Sequence, residues 1–281
     1  MNRGTFSERL LRGVRWAWTS EAHRDRLPAD LVDSVMSIES SDRYHAKQGR
    51  STARVRFDGG EGPGLSVYLK RHFGLPTLSR IAALVRPSGR DTPATVEWSH
   101  LEAARRLGIP VPKVVAAGET IGPWGGLCGF LMVEELAGAE ELNLAIPRLA
   151  RELPPDRFAQ FKRSLIVEAA EIAARLHHAK HFHKDLYLCH YFLESNIELP
   201  PGSRLTLIDL HRLERHRLFA WRWMWKDVAQ LLFSTFGVEG IEDRDRLRFW
   251  KHYRRIMQLR FHSIHRRAIM AKAERYRAHN D

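Results

Sequence analysis

Two aspartates define the chemistry open to this chain. Asp185 lies in the run His181-Phe182-His183-Lys184-Asp185-Leu186-Tyr187-Leu188-Cys189-His190-Tyr191-Phe192-Leu193. Asp209 follows Leu205-Thr206-Leu207-Ile208 and precedes Leu210-His211-Arg212. The two acids are 24 positions apart (209 − 185), and each ends or follows a short apolar segment. That is the layout of a hairpin with a base at one strand end and a metal-binding carboxylate at the other. Transfer of a phosphoryl group from ATP to a hydroxyl needs both: one acid orients and deprotonates the alcohol, and one holds magnesium on the phosphates. An acid closing a buried strand is costly unless paired or bound to a cation, which favours the metal role for Asp209. Asp185, taken alone, also reads as a solvated turn acid.

Other residues extend the pattern. Lys70 closes the alternating run Leu65-Ser66-Val67-Tyr68-Leu69 and can reach phosphates, although a lone strand-end lysine is ordinarily just exposed. A kinase needs a carboxylate on the following helix to hold that lysine. Glu97, near the first turns and beside Trp98, is preferred over Glu102. Lys47-Gln48-Gly49-Arg50-Ser51-Thr52-Ala53-Arg54 stands where a phosphate-covering loop would be. Its small residues let the backbone approach phosphate and its arginines add charge; an ordinary hairpin turn fits it equally. His190, five positions after Asp185, stands where protein kinases carry a metal-binding asparagine, but magnesium prefers oxygen. It therefore reads as a contact to phosphate or the metal shell, or as loop packing. Histidines 177, 178, 181, 183, 190 and 211 lack the spacing of a zinc motif.

The elements that must place these residues follow from the pattern. The chain has 281 residues, 44% of them apolar, enough for one large domain or two joined lobes. Residues 1–40 read as a helical extension, with Phe6, Leu10, Leu11, Val14 and Trp18 at helical spacing. It either packs on the body or offers Trp16, Trp18 and arginines to a membrane surface. Residues 41–136 read as a β-rich lobe with strands over 43–57, 65–70, 114–118 and 130–134, and a turn at 58–64. Residues 73–90 read as irregular. A helix capped by Thr92 with Pro93 in its first turn should run to Leu107 and stop at Gly108. Leu136-Ala137-Gly138 reads as a linker, and residues 137–281 as a helical lobe. There, Phe158, Phe161, Leu165, Ala169, Ile172 and Leu176 mark a core helix, 221–236 a tryptophan-rich buried helix, and 243–279 basic helices. Strands first and helices second give a bilobal α+β fold.

Charge narrows the partners. There are 45 Lys and Arg against 33 Asp and Glu, a net charge of +12. That favours an acidic or phosphorylated partner. The basic residues Lys251, Arg254, Arg255, Arg260, Arg266 and Arg267 can face a membrane leaflet or simply be solvated. No 18-residue apolar run and no signal-like start are seen, and two cysteines make no disulfide framework. Charge alone does not choose among nucleic acid, anionic lipid and a phosphorylated substrate; a cytoplasmic protein is expected.

The Asp185 run, with Ile208-Asp209-Leu210-His211-Arg212, resembles the lipopolysaccharide core heptose kinases and their Kdo-kinase relatives, protein-kinase-like enzymes. Lys226-Asp227-Val228-Ala229 and Gly49-Arg50-Ser51-Thr52 fit as well. The resemblance covers roughly residues 43–236. It implies ATP, magnesium and a sugar hydroxyl of the lipopolysaccharide inner core, or a related anionic glycolipid, as acceptor. It also implies peripheral contact with the cytoplasmic face of the inner membrane and no nucleic-acid partner. It implies Asp185 as base, Asp209 as magnesium ligand and Lys70 with Glu97 as the phosphate-positioning pair. Asp227 would brace the catalytic loop, and Glu134 to Leu136 would read adenine through backbone groups. His190 in place of asparagine leaves the number of metal ions open. Only 18 positions (227 − 209) separate Asp209 from Asp227, too few for an activation segment or a peptide platform. A different small-molecule kinase, of aminoglycoside or choline type, and a non-catalytic kinase-shaped module remain as alternatives.

Overall fold

Alternation of apolar residues produces the first half of the molecule. The computed structural model describes residues 4–39, 43–47, 49–59, 64–196 and 198–279. The chain divides into two compact units, one of Met1–Glu102 with Pro112–Glu135, the other of Ala103–Val111 with Leu136–Asp281. In the first unit, α1 (Phe6–Leu11), β1 (Val14–Thr19), α2 (Leu31–Ser37), β2 (Arg43–Lys47), β3 (Arg50–Phe57), β4 (Leu65–His72), α3 (Thr77–Val85), α4 (Pro93–Arg106), β5 (Val114–Ile121) and β6 (Leu127–Glu134) follow in order. α4 runs on into the second unit. The strands form one sheet in the order β1-β5-β6-β4-β3-β2, antiparallel throughout.

Three expectations change here. The first forty residues are not a purely helical extension. Val14–Thr19 is a strand paired along β5 from Val14↔Ile121 to Thr19↔Ala116. Val14, Trp16 and Trp18 recur every second residue, a strand period that the three-and-four spacing with Leu10 and Leu11 concealed. The two tryptophans are also spoken for, so they offer no membrane contact. Trp16 is buried, its Nε1 donates to Glu119 Oε1 at 3.0 Å, and both rings pack on Trp98 with centroids 5.9 and 5.4 Å away. Finally, residues 73–90 hold α3, which opens directly after Pro76, a residue tolerated at a helix start.

α2 is the plug of this unit. Leu31, Val32 and Val35 pack on Val67, Leu69, Phe130 and Met132. Leu69 and Met132 are fully buried, and truncating either to alanine costs about 2–5 kcal/mol. Gln48 and Gly60–Pro63, parts of the expected phosphate loop and turn, lie outside the described residues, as does the 40/41 boundary.

The second unit contains β7 (Glu140–Glu141), α5 (Leu142–Glu152), α6 (Pro155–His178), β8 (His181–Phe182), β9 (Tyr191–Leu193), β10 (Leu205–Leu207), β11 (Glu214–Arg215), α7 (Ala220–Phe233), α8 (Asp243–Ile256) and α9 (His262–Ala278). α6 buries Leu165, Ala169, Ile172 and Leu176 as its periodicity requires. β9 and β10 make a hairpin, Leu193↔Leu205 to Tyr191↔Leu207, and β8 pairs β11. α7 corrects a further expectation. Its buried face is Met224, Asp227, Val228, Ala229, Gln230 and Leu231, while Trp221 is exposed and Trp223 and Trp225 are half-buried. A polar stripe therefore turns inward on this helix, toward the loop that carries Asp185.

Candidate active site

In the first unit, strand alternation sets Leu65, Val67 and Leu69 against α2 and turns Lys70 to the other face of β4. There its Nζ lies 2.6 Å from Glu97 Oε1. Glu97 is on the second turn of α4 and is 3% exposed, so the ammonium is the charge that makes its burial tolerable. Glu97, not Glu102, is the partner. The approach of α4 to β6 depends on Gly129: a Cβ there would lie 2.3 Å from Thr92 Oγ1.

The proposed nucleotide loop is shorter than its sequence suggested. Gly49 has φ 72° and gives its carbonyl to Phe73 N–H at 2.6 Å, and a Cβ would meet Phe73 O at 2.3 Å. Arg50, Ser51 and Thr52 already belong to β3, where Thr52 pairs with Lys70. Ser51 is buried and its Oγ accepts from Arg71 Nη2 at 3.2 Å, so it holds strand β3 rather than facing phosphate. Within Gly49–Thr52, Gly49 and Arg50 are the exposed residues. At the end of β6, Glu134 N–H donates to Lys113 O at 2.8 Å and Glu135 N–H to Ser66 O at 3.0 Å, while Leu136 O accepts from Ala139. The Glu134 carboxylate meets His23 Nε2 at 2.7 Å. These bonds leave fewer backbone groups for a base than the Glu134–Leu136 reading assumed.

In the second unit, the segments that carry Asp185 and Asp209 are tied together by two contacts. The first is His190, just before the hairpin. Its Nδ1 donates to the Asp185 carbonyl at 2.6 Å, and its Nε2 stands 3.7 Å from Asp209 Oδ2. The second is Arg212, whose Nη1 donates to both carboxylate oxygens of Asp185 at 3.0 and 2.8 Å. α7 closes the arrangement. Gln230 Nε2 donates to Tyr187 Oη at 2.9 Å and lies 3.4 Å from Asp185 Oδ1. Lys226 Nζ stands 3.9 Å from the same oxygen and donates to Lys184 O. Burial lowers the Lys226 pKa from its ordinary value, with Asp185 opposing that shift. Beneath the loop, fully buried Asp227 accepts from His183 N–H at 2.8 Å and Lys184 N–H at 2.9 Å, and faces His177 Nε2 at 3.2 Å. His183 donates from Nε2 to Ile208 O at 3.0 Å, and burial holds its pKa below the usual histidine value.

Both acids depend on left-handed backbone. Lys184 has φ 69° and Asp209 has φ 60°, a region L-residues rarely adopt and that collects at functional sites. Sequence reasoning placed Asp227 but gave Arg212, Lys226 and Gln230 no role. Their signal was the inward polar set 226, 227 and 230 on an otherwise apolar helix face.

Asp209 fits a magnesium ion. Because Nδ1 of His190 donates to the Asp185 carbonyl, Nε2 is the ring nitrogen left facing Asp209. Among the described residues no cluster of three or more His, Cys, Asp or Glu side chains can hold a metal. The Asp209 carboxylate meets His211 Nδ1 at 2.6 Å through Oδ1 and His190 Nε2 at 3.7 Å through Oδ2; a single carboxylate of this kind suits an ion that takes one or two carboxylates and completes its shell with phosphate and water.

A lysine on an antiparallel sheet paired with a helix glutamate, and a helical unit whose two aspartates are linked through His190, define a kinase-type phosphotransferase. Residues 39–253 match the model of the lipopolysaccharide kinase (Kdo/WaaP) family. The chain belongs to that family. It is 30% identical over 227 residues to the lipopolysaccharide core heptose(I) kinase WaaP of Pseudomonas aeruginosa, covering 80% of each chain. It is 30% identical over 223 residues to that of Escherichia coli K12, covering 75% of this chain and 80% of the relative. A solved structure of WaaP in complex with acyl carrier protein superposes with a TM-score of 0.68 at 27% identity, covering 94% of this chain and 99% of that one.

Proposed function

We propose that this chain transfers the γ-phosphoryl group of ATP to a hydroxyl of an inner-core heptose of lipopolysaccharide. The observation that carries the reading is a pair of contacts that tie the Asp185 and Asp209 segments: His190, between the Asp185 carbonyl and the Asp209 carboxylate, and Arg212, three residues past Asp209, on the Asp185 carboxylate. In this reading the acceptor hydroxyl gives its proton to Asp185 as its oxygen attacks the γ-phosphorus. The new oxygen–phosphorus bond forms in line with the one that breaks, and ADP leaves. Arg212, Lys226 and Gln230 fix the Asp185 carboxylate so that one oxygen faces the alcohol. Asp209, with His190 beside it, would hold magnesium, which neutralises charge on the phosphates. Lys70, held by Glu97, would meet the nucleotide phosphates, with Gly49 and Arg50 over them and backbone of Glu134–Leu136 at the base. The short span from Asp209 to Asp227, filled by β11 and the start of α7, suits a compact sugar acceptor better than a peptide.

Lys70→Met should lower kcat/KM for ATP by roughly 10²–10³-fold, the usual loss when one charge-stabilising donor is removed. It also leaves the Glu97 carboxylate buried without its cation. The double variant Lys70→Met with Glu97→Leu should therefore recover melting temperature but not activity. Recovery of activity in the double variant would remove the pair from the nucleotide site.

An acyl carrier protein is a second partner favoured by a specific feature. The second unit carries a half-open cavity of about 400 Å³ lined by Leu142, Ile146, Leu165, Leu231, Phe236 and Trp250 among others, apolar enough for a hydrocarbon chain. The test of the main reading is mass spectrometry of core glycolipid from cells with and without the gene. A phosphate-sized mass difference on a core heptose supports it. Identical core masses, with activity of the purified protein only on other acceptors, would move the substrate elsewhere.

A further inference from the structure

Two helices of the second unit start from the same residue type in the same uncommon conformation. Phe219 precedes α7 with φ 50° and ψ 30°, and Phe261 precedes α9 with φ 52° and ψ 38°. Bulky L-residues rarely adopt this left-handed region; glycine or asparagine would hold the turn with less strain. Both rings also stand in solvent, 66% and 75% exposed. Neither choice helps the fold, and two such choices recur at one place.

They lie at one place because α7 and α9 run side by side in the same direction. Near their starts Trp225 Nε1 donates to His265 Nδ1 at 2.8 Å, and near their ends the Phe233 and Tyr276 rings are 6.0 Å apart. Both phenylalanines therefore project from the same end of the pair. Leu218, Trp221 and Ile264 extend the exposed apolar surface there. Its surroundings are basic: Arg215, Arg217 and Arg222 flank Phe219, and Arg260, Arg266 and Arg267 flank Phe261, all exposed. No Asp or Glu occurs in residues 215–226 or 258–273. Helix N-termini ordinarily gain from nearby acids. Here neither first turn carries one, and the nearest upstream acid, Glu214, is paired with Lys184, which leaves the patch complementary to an anionic surface.

We propose that this end of the second unit docks on an anionic phospholipid leaflet. Phe219, Phe261, Leu218 and Ile264 enter the boundary between headgroups and acyl chains, and the arginines pair with lipid phosphates. Protruding apolar side chains ringed by arginine suit a flat anionic surface. The expected basic membrane face is thereby narrowed from the whole C-terminal region to these helix starts, with Arg215, Arg217 and Arg222 added and Trp16 and Trp18 removed. The inference depends on neither ATP nor the identity of the acceptor sugar.

The test is co-sedimentation of the full chain with phosphatidylcholine vesicles, with and without phosphatidylglycerol, in the absence of nucleotide. Binding is expected only with phosphatidylglycerol and should weaken as salt rises. The double variant Phe219→Asn with Phe261→Asn should bind roughly tenfold or more weakly, since binding scales with apolar area inserted. Its melting temperature should equal or exceed that of the parent, because asparagine accepts the left-handed turn. Undiminished vesicle binding by the double variant overturns the proposal, as does a parent protein that ignores anionic vesicles. Loss of binding to acyl carrier protein, or of self-association, with vesicle binding intact would assign the patch to a protein partner and also overturn it.

Discussion

Replacing Asp185 with alanine should lower kcat by roughly 10²–10⁴-fold, the range for loss of a positioned general base, while ATP binding survives. The chemical interpretation is testable because the fold should hardly notice the change. The Asp185 side chain is 17% exposed and its Arg212 partner 49%, and ion pairs so open to water contribute about 0–1 kcal/mol. The loop backbone is held by Asp227 and by the 2.6 Å bond from His190 to the Asp185 carbonyl, none of which uses the deleted carboxylate. Thermal melting should therefore stay within a few degrees of the parent, and nucleotide titration should give nearly the parent affinity. Turnover close to normal would remove Asp185 from the chemistry. A collapsed melting temperature would instead recast it as a structural residue. Asp185→Asn sharpens the comparison, because the amide keeps the shape but cannot take the proton, and it should be as inactive as alanine.

The sequence made the fold class and the candidate residues legible but not every short element of the scaffold. Asp185, Asp209, Lys70 and Glu97 could be picked out because each departs from its local pattern: an acid after an apolar run, a lysine at the end of an alternating strand. The structure pairs Lys70 with Glu97 and links the two aspartates. What failed was period assignment in short segments. Six residues, Val14–Thr19, fit a strand as well as a helix until β5 is known to lie alongside them. Ser51 illustrates a different limit. A small hydroxyl residue beside a glycine fits a phosphate loop and a strand equally, and only the Arg71 guanidinium, 20 residues on, decides its role. Arg212 and Gln230 were illegible for the same reason, since their partners are 27 and 45 positions away. Local sequence records what a residue can do, and long-range packing selects which of those things it does.

Asp227 gives the largest structural effect expected in the second unit. It is fully buried on α7, and its two oxygens take the N–H groups of His183 and Lys184. Those donors belong to a segment forced into a left-handed turn at Lys184, which the acid alone can satisfy from below. Removing the carboxylate leaves two buried N–H groups unpaired, at about 1–3 kcal/mol each, and strips the nearby His177 imidazole of its 3.2 Å partner. Asp227→Ala should thus cost about 3–5 kcal/mol, as expected when one member of a buried polar pair is deleted. For a chain of this size that is a fall in melting temperature on the order of 10 °C. Activity should fall with it, even at temperatures where the variant is still folded, because Lys184 sets the direction in which Asp185 leaves the loop. Asp227→Asn should be intermediate, since its carbonyl can accept one N–H while its amide opposes the other. An alanine variant that melts with the parent would show that the loop holds its turn without this brace. Asp185 would then owe its position to Arg212, Lys226, Gln230 and the His190 bond to its carbonyl.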